Sequence, residues 1–516
     1  MKNMQQTNLL VSLLGATLCL AGCGGSDNNG TSVSSTSGTS SSTSSSSSGS
    51  SSSSSSSSGS TTGSGSTTGS GSSTGTGSST GTGSTTVTGS GSTTTTASAS
   101  CSATAGTGVP TINTQPADQT VVPGQHALFN VVAAGATTYQ WCMNGKAISG
   151  ATSATYYSGA LASTDANDSL TVVVGNTSGS AVSNAALVHI NPNADGSPPA
   201  SFWGNTAALP AATNVMTFSF INATNGKYPN SQVFWSFSGK TSSGTQVSET
   251  HSIADAPTYD MPAVQSARMY FYIAPSQSAI AQNNTSYYDF IEFDIGLAGG
   301  STATNPVYFI NGDTTRVDAF GLKTAIHLHC TDSAGSDFQR GEDYGTFLED
   351  RAITFLKYQA ETPAAFSGTV QYAPYRITEP GASGFGPSGA QSTYFNAYID
   401  QVWAANNIDE TLVPKPSPFL NFVSNQQPDL SAAMERHVAQ NPGTFNSDGT
   451  LVNKSFWSTI SSSTFYPAAP ANYYAQYWHT HGIAGKAYGF PYDDVGGYSS
   501  DISCSSPQYL AVAIGW

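Results

Sequence analysis

Charge is what this sequence has least of. Its 516 residues hold 15 Lys and Arg and 30 Asp and Glu, 9% of the chain, against about one quarter in an ordinary soluble domain. The balance is −15 at pH 7 and no basic cluster interrupts it. That excludes nucleic acid as a partner, because neutralising phosphates takes gathered Lys and Arg. Long hydrophobic runs are missing too. The apolar run from Leu9 to Leu20 is about a dozen residues, short of the roughly 20 that span a bilayer. No C-x-x-C pair exists, which argues against a structural zinc site of that kind. No G-x-S-x-G elbow stands between a strand and a helix of the folded part, which argues against Ser-His-Asp catalysis.

What is present is unevenly spread, and the length allows two to four domains. Residues 1–23 read as a secretory signal, with Lys2 as its positive start and the Leu9 to Leu20 run as its apolar centre. The run ends in Leu20-Ala21-Gly22-Cys23, which resembles a bacterial lipobox and makes Cys23 the expected lipidation site. Gly24 and Gly25 follow, with no Asp, so the expected address is the cell surface or outer membrane, held by lipid alone. Residues 24–107 form a linker whose first part is almost pure Ser, Thr and Gly. Such a segment buries no apolar surface and behaves as a coil with a reach of about 50 Å. Of the remaining cysteines, Cys101, Cys142, Cys330 and Cys504 permit two disulfides in an oxidising compartment, with three possible connectivities. Pairing Cys101 with Cys142 and Cys330 with Cys504 would keep each bridge within or beside one domain.

Between 108 and 192 the texture becomes short alternating apolar segments. Tyr139-Gln140-Trp141 precedes Asn144-Gly145, a hairpin signal, and Leu170 to Val174 reads as a further strand. About 85 residues of this kind fit an antiparallel sandwich. The segment resembles bacterial immunoglobulin-like domains, with Trp141 as the core tryptophan. Phe129 and Val172 stand where the inter-sheet cysteines of antibodies would be, and Leu170 replaces the corner tyrosine. Spacing or weak carbohydrate contact is its expected role, and adhesion to a protein is the sharper alternative.

Residues 193–202 form a linker with Pro198 and Pro199, and 203–516 is dense in aromatics. Strand patterns come first, among them one from Arg316 through Cys330. Helical patterns concentrate in Tyr344 to Tyr358, Thr393 to Asn406, Leu430 to Gln440 and Tyr473 to His479, and the last strand is Gln508 to Ile514. The expected fold is mainly β: an immunoglobulin-like sandwich, then a barrel or sandwich with a mixed α/β subdomain inserted at about 335–470.

In so charge-poor a chain the acids stand out. Tyr288 to Asp294 alternates so that Glu292 and Asp294 share a strand face with Phe290 and Tyr288, while Asp289 points the other way. Arg316 lies two residues before Asp318 and is expected on its face, keeping that carboxylate ionised. A third cluster holds Tyr492, Asp493 and Asp494. Glycosidic hydrolysis needs one carboxylic acid to protonate the leaving oxygen and one carboxylate to activate water or attack the sugar, with rings to stack on pyranose faces.

Tyr288-Asp-Phe-Ile-Glu-Phe293, Thr314-Thr-Arg-Val-Asp-Ala-Phe-Gly-Leu322 and Ala487-Tyr-Gly-Phe-Pro-Tyr-Asp-Asp-Val495, in that order, resemble the motifs of glycoside hydrolase family 64, β-1,3-glucanases with a thaumatin-like barrel. The resemblance covers about 203–516. It implies an inverting reaction on β-1,3-glucan with Glu292 as general acid and Asp318 as general base, and Asp313 and Asp289 as the alternative bases. Tyr288, Asp289, Arg316, His481, Tyr492, Asp493 and Asp494 are the expected substrate contacts, and Cys330 and Cys504 the expected disulfide. No cofactor is called for, and a monomer is expected. His327, His329, His479 and His481 offer a rival reading as a four-histidine metal site. The alternative function is a non-catalytic glucan-binding or adhesive surface lipoprotein.

Overall fold

Period-two alternation of apolar residues organises almost every strand of this chain, and it decides which side chains meet. The computed structural model describes residues 101–516 except 300, 303 and 417–426. The expectations for the signal segment 1–23, for Cys23 and for the linker up to residue 100 lie outside the described residues.

In the first unit, strand Thr138–Met143 pairs antiparallel with Ser169–Asn176, setting Trp141 opposite Val172. Trp141, Phe129, Leu170, Val172 and Val174 form a closed core. The Trp141 indole N–H donates to the Ser153 carbonyl at 2.9 Å, so its polar edge is satisfied inside the core. Asn144 and Gly145 both have positive φ, 50° and 75°, the geometry of a type I′ hairpin turn. Cys101 is bridged to Cys142 and Cys330 to Cys504.

Side-chain and backbone contacts join this unit to the helices beyond residue 340. The Gln125 side-chain amide donates to Asp343 Oδ2 at 2.7 Å and to the Thr480 carbonyl at 2.8 Å. Helix Tyr344–Leu348 lies so close to strand Gln119–Val121 that a Cβ on Gly345 would stand 2.1 Å from the Thr120 carbonyl oxygen. Only glycine permits that approach.

Beyond residue 203 two sheets pack face to face. One has five strands, in the order Thr258–Met261, Met216–Ala223, Pro507–Gly515, Thr324–Cys330, Asp337–Gly341. The other has six: Gln246–Ser252, Val233–Lys240, Val264–Ile273, Tyr287–Leu297, Tyr308–Thr314, Ile502–Ser505. Trp235, Phe271, Ile291 and Phe293 from the six-stranded sheet meet Phe218, Ile326, Leu328 and Val512 from the other in one core. The first and last strands of this region, Met216–Ala223 and Pro507–Gly515, run parallel, side by side. Helices lie between strands Asp337–Gly341 and Ile502–Ser505 around a second core that includes Tyr358, Trp403, Met434 and Trp478. The chain is mainly β, as its alternation predicts.

Two expected elements are divided. The helix expected over Tyr344 to Tyr358 is two helices, Tyr344–Leu348 and Arg351–Glu361, because the Asp350 carboxylate caps the second by accepting from the Ala352 N–H at 2.9 Å. A capping Asp takes extended backbone and so ends the turn before it. The strand expected from Arg316 through Cys330 is only Ala319–Phe320 and Thr324–Cys330. At the gap the N–H groups of Gly321 and Leu322 donate to Asp289 Oδ2, at 2.8 and 3.0 Å, instead of to a neighbouring strand.

Candidate active site

The outer face of the six-stranded sheet carries the candidate site. Ile291 and Phe293 point into the core, so Tyr288, Phe290 and Glu292 point away from it. The register sets Tyr272 opposite Tyr288, Tyr270 opposite Phe290 and Arg268 opposite Glu292 on one side, and Asp313 opposite Glu292 on the other. An aromatic patch therefore runs along the strands into a charged row, Arg268–Glu292–Asp313. The rings are in contact: Tyr270 and Phe290 centroids are 5.3 Å apart, and the Arg268 guanidinium lies 4.9 Å over Phe290. Arg268 Nε donates to Glu292 Oε1 at 2.7 Å, with both side chains about one-third exposed. The pair is thus open to a ligand.

Asp313 is the unusual member. Its Oδ1 is closed to solvent and has no hydrogen-bond partner. Burial, with the charges of Glu292, Asp501 and Asp494 around it, pushes its carboxyl well above the usual carboxylate range. Directly opposed cross-strand residues have Cβ atoms about 5 Å apart. The arrangement is thus two facing carboxyls, one of which is pushed by burial toward its protonated form.

Asp318 does not face Glu292 across a ladder. It is exposed, on the segment that leaves strand Tyr308–Thr314, and its carbonyl accepts the Glu379 N–H at 3.1 Å. Its charge reaches the Tyr288 phenol. Burial raises Glu379 to about 7, with Asp318 adding to the shift, and burial raises Glu435 behind it to about 8. The Tyr288 ring is capped by the Arg376 guanidinium at 4.0 Å. Tyr492 is half-buried and Asp494 exposed.

Four expected sugar contacts are instead inside the protein. Asp289 and Arg316 are 1% and 3% exposed and pair at 3.0 Å, with Glu342 on the other side of the guanidinium at 2.6 Å. Arg316 is therefore paired with Asp289 and Glu342, not with Asp318 as its spacing suggested. Asp289 is spent on Arg316 and two backbone N–H groups, so it is no candidate base. Asp493 is fully buried between Arg436 at 2.7 Å and His479 at 2.9 Å.

His481 is also buried. It pairs with Glu361 at 2.7 Å and lies 3.8 Å from Asp343. Burial alone would lower its pKa, but Glu361 and Asp343 outweigh that and push it up to about 9 from its ordinary 6.5. The imidazolium thus contributes stability that is complete below pH 6.5 and is lost as pH rises through 9, on the order of 3 kcal/mol in full. Lys323, which burial lowers to about 8, works in the opposite sense above that pH. The comparison with His481→Gln isolates the effect. The gap in urea midpoint between wild type and this variant is expected to shrink from pH 6 to pH 9.5, and a constant gap would contradict the assignment.

The four histidines do not converge. His327 and His329 share Asp337, at 2.5 and 3.2 Å, while His479 and His481 have the separate partners just given. Among the described residues no group of three or more His, Cys, Asp or Glu is placed to hold a metal ion. Sequence reasoning missed Arg268, Arg376 and Glu379. Arg268 alone left a signal, at an outward position of the alternating segment Ala267-Arg-Met-Tyr-Phe-Tyr272.

A sheet face that leads rings into paired carboxyls carries the kinds of side chain that hydrolysis of a glycosidic bond uses, the chemistry of a carbohydrate-active enzyme. The family model described as β-1,3-glucanase, glycoside hydrolase family 64, matches residues 214–413 and 409–514. The chain belongs to that family. Solved structures that resemble it include a family 64 β-1,3-glucanase domain from Clostridium beijerinckii, at 21% identity over 60% of this chain and 100% of that one, TM-score 0.48. The laminaripentaose-producing β-1,3-glucanase of Paenibacillus barengoltzii is similar at 24% identity over 78% of this chain and 99% of that one, TM-score 0.47. Its form complexed with laminarihexaose gives 23%, 78%, 99% and 0.47. No curated protein matches the chain.

Proposed function

We propose that this glycoside hydrolase cleaves β-1,3-glucan with inversion, Glu292 giving the proton to the leaving oxygen and Asp318 activating the water. The observation that carries this reading is the Arg268–Glu292–Asp313 row at the end of the Tyr288, Phe290 and Tyr270 patch. Asp313 is directly across from Glu292, whereas inversion needs room for water, roughly 6.5–9.5 Å between carboxyl groups. The exposed Asp318 suits the base on that ground. Tyr288, Tyr492 and Asp494 remain the sugar contacts, and Arg316, Asp289, Asp493 and His481 hold the walls in place.

The setting we propose is a monomer anchored by lipid at Cys23 on the bacterial surface, with residues 24–107 as a tether and 108–192 as an immunoglobulin-like unit. Membership of the family and the lipobox-like sequence support this. The test is release of reducing ends from linear β-1,3-glucan by the purified chain, with the first-formed anomer read by NMR. An α-anomer is expected. A β-anomer would overturn inversion, and absence of reducing ends would overturn the substrate.

A further inference from the structure

The sheet that backs the candidate active site has its own polar outer face. Ile326 and Leu328 lie in the core between the sheets, so His327 and His329 point away from it, as Glu292 does from the other sheet. The two outer faces are therefore back to back, separated by a core layer about 10 Å thick. On the His327 face, the segment from Pro192 to Thr206 stands off strand Asp337–Gly341 and leaves a cavity of about 830 Å³. Asn193, Asp195, Trp203, His327, Asp337 and Gln339 line it. That volume is within the usual range for small-molecule sites.

The lining selects a ligand class. Asp195 and Asp337 exclude an anion. Neither carboxylate is arranged for a cation, because Asp337 is divided between His327 Nε2 and His329 Nδ1, and Asp195 Oδ1 accepts from the Ser197 N–H and hydroxyl at 3.0 and 2.7 Å. The Trp203 indole N–H donates to Gln339 Oε1 at 2.9 Å, which fixes the amide and leaves its NH2 as a donor. His327 Nδ1 is buried without a partner. Rings contribute to the wall through Trp203, 5.2 Å from His327; His329, which shares Asp337 with His327, lies beside the cavity on the same sheet face. A fixed amide donor, carboxylate acceptors and ring surface in the wall match a neutral polyhydroxylated molecule.

We propose that this cavity is a second saccharide-binding site, which holds a strand of β-1,3-glucan on the face opposite Glu292. The choice of glucan rests on the proposed substrate. Two sites on one rigid body raise retention on a polymer through effective concentration and leave cleavage of a short chain unchanged.

The test compares the full chain with an Asp337→Ala/Gln339→Ala double variant and with Asn193→Leu, which alters only the linker wall. Retention on insoluble β-1,3-glucan is expected to fall by about tenfold in both, while laminarihexaose turnover stays within about twofold of wild type, as for distant independent sites. Laminarihexaose is also expected to protect His329 of the wild type from diethylpyrocarbonate. Unchanged retention in Asn193→Leu together with an unprotected His329 would overturn the second site. A wild type that cleaves no glucan would overturn the substrate reading instead, and the choice of ligand with it.

Discussion

Replacing Glu292 by Gln is expected to lower turnover of linear β-1,3-glucan by about 10²–10⁴-fold, the usual worth of a positioned proton donor. The substitution keeps the shape of the side chain and removes only its ability to carry a proton or a charge. Its ladder neighbours, Arg268 and Asp313, are set by backbone register, so the sheet does not depend on the carboxylate. The Arg268 contact is about one-third exposed, and pairs of that kind contribute about 1 kcal/mol or less. Stability should therefore change little while kcat collapses and KM moves little, because the rings that hold the sugar are untouched. Reducing-end release together with a thermal melt reads both quantities. Wild-type turnover in this variant would remove Glu292 from the mechanism.

The second large effect concerns folding. Arg316→Met should destabilise the protein by about 3–5 kcal/mol, because it leaves Asp289 and Glu342 buried as uncompensated charges. Adding Asp289→Asn and Glu342→Gln should return most of that loss, since the cost comes from the unpaired carboxylates and not from the missing cation. Activity should fall in the single variant as well. Asp289 anchors Gly321 and Leu322, and the chain that they fix carries Asp318. Urea midpoints of the single and triple variants decide the matter. A single variant within about 1 kcal/mol of wild type would mean that the triad is not closed to water.

The alternation in Tyr288 to Asp294 could be read because a strand has a fixed period of two, and period alone decides which side of a sheet a residue faces. Glu292 and Asp289 fall on opposite sides as that rule requires. The same reasoning misplaced Arg316, Asp289, Asp493 and His481 as groove residues. Their partners, among them Glu342, Arg436 and Glu361, lie 26, 57 and 120 residues away from Arg316, Asp493 and His481, and no local pattern encodes such pairings. In a charge-poor chain an isolated ionic residue looks like chemistry waiting for a ligand. Here four of them are balanced inside the protein, and the groups left facing outward are fewer than the sequence suggested. Asp313 shows the converse case. The sequence offered it only as an alternative base, and its raised pKa comes from burial and from the register that sets it across from Glu292.

The hold that Gln125 has on Asp343 and Thr480 bears on how this chain can be cut and recombined. Burial and the nearby carboxylate of Glu361, the partner of His481, both raise the pKa of the Tyr157 phenol. The ionic cluster of the helical region is thus partly roofed by the preceding unit. Residues 203–516 are not an interchangeable cassette. A chimera or truncation that removes the preceding unit bares this cluster, and any substitute unit must supply its own amide in the place of Gln125.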